Sequence, residues 1–295
     1  MAAPFWIIGP GRMGLSLGSV VAQAGLASEL LFVGRRERRP EHQAIGDARY
    51  SVGLPGRPAA QTRVLLAVPD GAIAETARLL AELGTPGEGC VALHHSGAQT
   101  AQILAPLAER GYATGSLHPL QSVADARHGV ERLRGAYFTF EGDERARAVA
   151  IELVKAAGGR MLELRSGDKA RYHAACVFAS NYVVACAGTA TQLLAEASGV
   201  GEEEALQALM PLWRGAVANL EEAGLPKALT GPVARGDLAT VRRHLAALDG
   251  DTRDLYRHLA LRALELSRRL GLGREVADAI EAEIRASEIG GRERR

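Results

Sequence analysis

The stretch Phe5 to Gly18 constrains this chain more than any other. Phe5-Trp6-Ile7-Ile8 is an apolar run of strand length that leads straight into Gly9-x-Gly11-x-x-Gly14, and Leu15 to Ala24 follows with apolar residues at helical spacing. Each glycine has a physical task in a strand–turn–helix. Gly9 permits the tight turn, Gly11 lets the backbone approach a pyrophosphate, and Gly14 lets the helix pack closely on the strand. The helix N-terminus then offers free N–H groups and a partial positive charge to phosphate oxygens. A glycine-rich turn alone carries little weight. Between a strand and a helix, at the front of an α/β-patterned chain, it reads as a dinucleotide site that includes Gly9, Gly11, Arg12, Met13 and Gly14.

The pattern beyond that helix continues to alternate. Glu29 to Val33, Arg63 to Val68, Cys90 to Leu93, Tyr112 to Leu117, Tyr137 to Phe140 and Met161 to Leu164 read as strands. Helical spacing runs over Ile73 to Leu83, Gln99 to Arg110 and Glu144 to Ala157 between them. Such alternation predicts a Rossmann-type, doubly wound and mostly parallel sheet over residues 1–165. Ligands of such sheets lie beyond the carboxyl ends of the strands. Here those ends carry Val68-Pro69-Asp70, His94-His95-Ser96 and His118-Pro119, which places Val68, Pro69 and Ser96 beside a cofactor.

The end of the second strand bears on which cofactor. An NAD-preferring fold places an acid there to accept hydrogen bonds from the ribose. This chain has Gly34, followed by Arg35 and Arg36, which can hold a 2′-phosphate by charge-assisted bonds. That favours NADP(H). Composition supplies the competing view, because the chain's lysines are Lys155, Lys169 and Lys227 alone and nearly all its basic residues are arginine. A solvated basic turn is therefore the bland alternative.

After Ser166-Gly167-Asp168 no strand-like run returns. Lys169 to Ser198 reads as one long apolar helix, Glu202 to Ala223 as another, and three more follow to Ala286, with a frayed end at 290–295. Residues 166–295 thus form an all-α domain. The long helix carries Lys169, His173, Ser180 and Asn181. At about 100° per residue the first three share one face, with Asn181 on its flank. The ordinary alternative is an exposed lysine in the first turn and a serine and asparagine that bond neighbouring helices. Thr230-Gly231-Pro232-Val233-Ala234-Arg235-Gly236-Asp237 is a second polar cluster, in which Asp237 is placed to cap a helix from Leu238.

These segments together carry a resemblance. Gly9-x-Gly11-x-x-Gly14, Val33-Gly34-Arg35-Arg36, Val68-Pro69-Asp70, His95-Ser96-Gly97, His118-Pro119-Leu120-Gln121-Ser122, His173 to Asn181 and Thr230-Gly231-Pro232-x-x-Arg235-Gly236-Asp237 occur in that order. Over nearly its full length the chain resembles a family of Rossmann-like NADP oxidoreductases with a C-terminal helical domain of unknown function. That family looks like a distant branch of the ketopantoate reductase and 6-phosphogluconate dehydrogenase superfamily, and some members are regarded as ketopantoate reductases. In ketopantoate reductases a catalytic lysine on the long helix precedes an asparagine by eight residues; here His173 stands at that spacing before Asn181. The resemblance implies that His173 replaces the lysine as proton donor, with Lys169 one turn earlier as its rival. Imidazolium can protonate a developing alkoxide as ammonium can.

The implied activity is NADP-dependent reduction of a small 2-oxo acid or related carbonyl compound. Asn181 and Ser180 orient the hydroxyl, Thr230 and Arg235 bind a carboxylate, and His118 shapes the nicotinamide pocket or serves as an alternative acid. A sensor that binds NADP without turnover is the rival from another class. A metal site built from His94, His95, His118 and His173 matches no known zinc spacing. Net charge of +1 gives no reason to expect nucleic acid or an anionic membrane as partner. Cys90, Cys176 and Cys186 form no disulfide framework; the last two would stand about 15 Å apart on one helix. The first apolar run is too short for a signal peptide, and no uninterrupted apolar stretch is read as long enough to span a bilayer, so a cytoplasmic location is expected. The helical half is more apolar than a lone layer covers, which predicts a homodimer through it.

Overall fold

The computed structural model describes residues 2–46, 48–165 and 167–286; the expected frayed end at 290–295 and Ser166 lie outside them. Its first part runs β1 (Ala3–Ile8), α1 (Arg12–Gln23), β2 (Ala27–Gly34), β3 (Arg49–Val52), β4 (Arg63–Leu66), α2 (Asp70–Glu82), β5 (Val91–His94), α3 (Ala105–Ala108), β6 (Ala113–Pro119), α4 (Gly129–Leu133), β7 (Tyr137–Gly142), α5 (Glu144–Ala156) and β8 (Arg160–Glu163). The strands form one sheet in the order β3-β2-β1-β4-β5-β6-β7-β8. Pairing is parallel except between β6 and β7. The chain steps from β1 out to β3 and then returns to set β4 on the other side of β1. That reversal opens a crevice at the carboxyl ends of β1 and β4.

Side chains alternate across the strands, so helices can cover both faces. Phe5 and Ile7 of β1, Leu65 of β4 and Leu93 of β5 enter one core with Leu17 and Val20 of α1 and Leu153 of α5. Ile8, Val64, Leu66 and Ala92 point the other way, onto Ile73, Ala77 and Leu80 of α2 and Leu107 of α3. Close approach of α1 to the sheet depends on missing side chains: a Cβ on Gly14 would lie 2.1 Å from the Gly9 carbonyl oxygen, and one on Gly18 would lie 2.3 Å from Phe32.

The remaining helices are α6 (Lys169–Ala179), α7 (Asn181–Ser198), α8 (Glu202–Ala223), α9 (Pro232–Arg235), α10 (Leu238–Ala247), α11 (Gly250–Arg269) and α12 (Arg274–Ala286). The expected single helix over Lys169 to Ser198 is therefore two, broken at Ser180, whose φ of −131° and ψ of −71° leave helical geometry. The 100° spacing that set Ser180 on the face of Lys169 and His173 does not carry across this break. By length and composition alone Lys169–Ser198 is apolar enough to cross a membrane, which corrects the expectation that no stretch of the chain is.

Strands give way to helices where the sequence does, after β8. The compact units nevertheless divide later, between Tyr182 and Val183, because α6 is bonded to the sheet through Lys169 and Tyr172. In the second unit α9 to α12 enclose Val233, Val241, Leu245, Leu264, Ile280 and Ile284. Asp237 caps α10 as expected, accepting from the Thr240 N–H at 3.0 Å.

Candidate active site

Two groups of residues meet the carboxyl edge of the sheet in the first unit. The first is a cleft of about 1360 Å³ at the crevice between β1 and β4. Gly9, Pro10 and Gly11 form its floor, Val68 and Pro69 one wall, and Gly34, Arg35, Arg36 and Tyr50 the other. Gly9 has φ of +95°, and a Cβ there would stand 2.7 Å from the Ala67 carbonyl oxygen, so glycine is required on two counts. A Cβ on Gly11 would meet nothing within 4 Å, so the space above this turn is open. Gly11 is the N-cap of α1 with no side-chain cap, and no acid stands in the first turn. By contrast, Asp143 caps α5 and Glu144 opens it. The free N–H groups of α1 thus keep their attraction for an anion.

The basic turn after β2 divides by role. Arg38 pairs with Glu41 at 2.6 Å, and Arg39 donates to the carbonyls of Ile45, Gly46 and Ala48. Arg35 and Arg36 are exposed on the cleft, and among the described residues their guanidinium groups bond to nothing. Gly34 is glycine for a reason absent from the sequence pattern: a Cβ there would lie 2.1 Å from the Tyr50 hydroxyl oxygen. Arg12 is also exposed, its guanidinium 3.4 Å from the Ala124 carbonyl, and Met13 is packed partly buried against the core.

The second group is built from buried basic side chains at the ends of β5 and β6 and on α6. His94 is fully buried; its Nε2 donates to the Thr100 carbonyl at 3.1 Å and its Nδ1 accepts from the Ser96 N–H at 3.2 Å. Burial pushes its pKa down to about 3. His95 donates from Nδ1 to the Leu117 carbonyl at 2.7 Å, burial pushes it down to about 4, and its enclosed Nε2 has no partner among the described residues. His118 is bonded through Nδ1 to the Tyr172 hydroxyl at 2.5 Å. Burial, reinforced by the Lys169 and His173 charges, lowers it to about 4.

Lys169 is 2% exposed and donates from Nζ to the Ser116 hydroxyl at 2.6 Å, so it is not the exposed first-turn residue that was the plain alternative. Burial pushes its ammonium below the usual lysine range, and Glu141, Cys176 and Asp70 pull it back. His173, one turn along α6, is half-buried. It meets His118 over Gly97, where a Cβ would lie 2.7 Å from His173 Cδ2 and 3.0 Å from His118 Nε2. The fold thus brings His173, Lys169 and His118 together.

Other expected site residues are placed differently. Ser96 is buried and does not line the cleft: its hydroxyl donates to Asp70 at 2.8 Å and accepts from the N–H groups of Ala98 and Gln99. It ties the end of β5 to the start of α2. Ser180 and Asn181 are exposed and bonded to each other at 2.9 Å. Thr230 and Arg235 belong to the second unit, both exposed, on either side of the Gly231-Pro232 turn. Among the described residues no group of three His, Cys, Asp or Glu side chains is arranged to hold a metal ion.

Sequence reasoning missed Tyr50, Ser116 and Tyr172. Tyr172 was within reach, because it lies three positions after Lys169 and one before His173 on the same helix. Ser116 and Tyr50 carry no local signal; they matter through the strand beside them.

Comparison with known proteins agrees with this architecture. The family described as a Rossmann-like domain matches residues 4–119, and the domain of unknown function DUF2520 matches residues 136–263. No curated protein matches. Among solved structures, protein TM1727 from Thermotoga maritima is similar at a TM-score of 0.70 and 23% identity, over 90% of this chain and 98% of that one. BF3122 of Bacteroides fragilis, a proposed NADP oxidoreductase, follows at 0.67 and 20%, over 89% and 98%. A reductive aminase from Aspergillus terreus, solved with NADPH and ethyl levulinate, gives 0.55 and 19%, over 99% and 95%. At these identities the likeness is one of fold.

Proposed function

We propose that this chain, which joins a Rossmann-like domain to a DUF2520 domain, is an NADP(H)-dependent oxidoreductase of a small carbonyl compound. The observation that carries the reading is the cleft itself: an uncapped helix N-terminus and an open glycine turn at one end, and two unpaired arginines in place of the ribose-binding acid at the other. The proteins similar in fold include a proposed NADP oxidoreductase and an enzyme solved with NADPH. Gly9, Gly11 and the first turn of α1 would hold the pyrophosphate, and Arg35 and Arg36 the 2′-phosphate. Bound there, NADPH supplies a hydride to the carbonyl carbon.

The rest of the chemistry falls to the chain's own side chains. His173, half-buried beside His118 and Gly97, donates the proton that the developing alkoxide oxygen needs. His118 is neutral at neutral pH and lines the same point. Lys169, bonded to Ser116, adds to the burial that keeps His118 neutral. The substrate class we favour is a 2-oxo acid of the ketopantoate kind, with Asn181 as a candidate for its hydroxyl. The exposed Phe178, Val184, Leu212 and Val217 favour a homodimer through the helical part.

The test is a fluorescence titration with NADPH and NADH, followed by cofactor oxidation with a panel of 2-oxo acids and simple ketones. NADPH should bind the more tightly, and at least one 2-oxo acid should be reduced. Equal affinity for the two cofactors removes the NADP assignment, and binding without turnover on any carbonyl removes the enzymatic one. Light scattering at micromolar concentration tests the dimer, which a monomer there would exclude.

A further inference from the structure

We infer that Tyr50 determines which nicotinamide dinucleotide this site takes, a step that rests on the cofactor reading above. Tyr50 lies on β3, paired in register with Phe32 of β2, and its side chain leans along the sheet to the end of β2. There the phenol fills the space that a side chain on residue 34 would need, 2.1 Å from an ideal Cβ. Its hydroxyl also donates to the Arg36 carbonyl at 2.8 Å. Both Tyr50 and the arginine turn line the cleft.

Two consequences follow from one side chain. First, a side chain at position 34 would have to displace the Tyr50 hydroxyl and break its bond to the Arg36 carbonyl, so β3 weighs against an acid there. Second, the bond to the Arg36 carbonyl pins the backbone from which Arg35 and Arg36 reach into the cleft. The ring packs partly buried against the core, which limits its swing. Charge-assisted bonds need their donors held in place, and a pinned turn loses less side-chain and backbone freedom when a phosphate arrives.

The experiment compares NADPH and NADH affinities by fluorescence titration of four full-length proteins: wild type, Tyr50→Phe, Gly34→Asp, and the pair Gly34→Asp with Tyr50→Ala, each checked for fold by circular dichroism. Tyr50→Phe keeps the ring and removes one hydrogen bond, so NADPH affinity should fall about three- to tenfold while NADH affinity stays unchanged. Gly34→Asp alone should gain no NADH affinity. The paired change frees the acid to reach the ribose and should bind NADH at least about tenfold more tightly than Gly34→Asp does. A wild type that binds neither cofactor overturns the cofactor reading and this inference with it. A wild type that prefers NADPH, with Gly34→Asp gaining as much NADH affinity as the pair, overturns the inference alone. So does a Tyr50→Phe protein that loses both cofactors equally.

Discussion

The two ends of the sheet's carboxyl edge are made of different materials. The cleft at β1, β2 and β4 is largely backbone, with glycines, free N–H groups and two exposed arginines around open space. The cluster at β5, β6 and α6 is side chain throughout, with His94, Ser116 and Lys169 buried and His118 and His173 half-buried above them. An open backbone cradle binds by shape and by helix-terminal charge, which change little with pH. A buried basic cluster acts through protonation states that its surroundings set. The first suits holding a cofactor and the second suits moving a proton, and each change below should affect one end and spare the other.

The largest effect is expected from His173→Ala, which should lower turnover by roughly two to four orders of magnitude while NADPH affinity stays near wild type. Stopped-flow reduction and a cofactor titration on the same protein check both halves of that statement. If His173→Ala is mild and His118→Ala is not, the donor is the neighbouring ring on the other side of Gly97.

The converse change is Arg35→Ala with Arg36→Ala. Two charge-assisted contacts of about 1.5 kcal/mol each correspond to roughly a hundredfold loss of NADPH affinity. NADH affinity should stay unchanged, and so should turnover at saturating NADPH. A smaller effect, about ten- to a hundredfold on turnover, is expected from Gly97→Ala. Its new methyl would meet His173 Cδ2 at 2.7 Å and His118 at 3.0 Å, so it displaces the imidazoles and leaves the cofactor cleft untouched. A Gly97→Ala protein with normal turnover would show that the two rings need not converge there.

The same contrast explains what could be read in the sequence. The cofactor end is specified within a dozen residues, and each glycine's task follows from its neighbours in the chain; the strand, turn and helix stand where the pattern put them. The alternating run from Arg63 to Leu164 was legible because buried strands are apolar and end in Gly, Pro or His. Short, half-exposed β3 was not legible, since the alternation of Arg49-Tyr50-Ser51-Val52 lasts only four residues, and with it went the reason for Gly34. The break at Ser180 was hidden because both flanking segments are apolar and alanine-rich, and neither glycine nor proline marks it. Lys169 could be placed on the helix but not in its environment, because its bond to Ser116 comes from a strand 53 residues away. Chemistry that depends on burial is the part a linear reading loses.

The smallest predicted effect tests that burial directly. Histidines 94, 95 and 118 are held at about 3, 4 and 4, below the ordinary value of 6.5. In the unfolded chain they take up protons as pH falls below about 6.5, whereas in the folded chain they resist until about pH 4. The unfolded state therefore binds more protons throughout that window, and stability must rise with pH across it. Stability contributed by these neutral rings is complete above pH 6.5 and is lost progressively as pH falls toward 4. Urea midpoints measured from pH 7.5 to 4.5 should decline over that range. His94→Gln keeps a donor for the Thr100 carbonyl but abandons the Ser96 N–H, so it should cost about 1–3 kcal/mol at neutral pH and make the decline shallower. Lys169→Met should raise the titration of His118 and His95, because the positive charge of the buried ammonium adds to the burial that lowers both; NMR titration of the imidazole protons reads it. Midpoints that stay flat from pH 7.5 to 4.5 would mean that the rings protonate as easily folded as unfolded, and the buried cluster would then differ from the open cleft in composition alone.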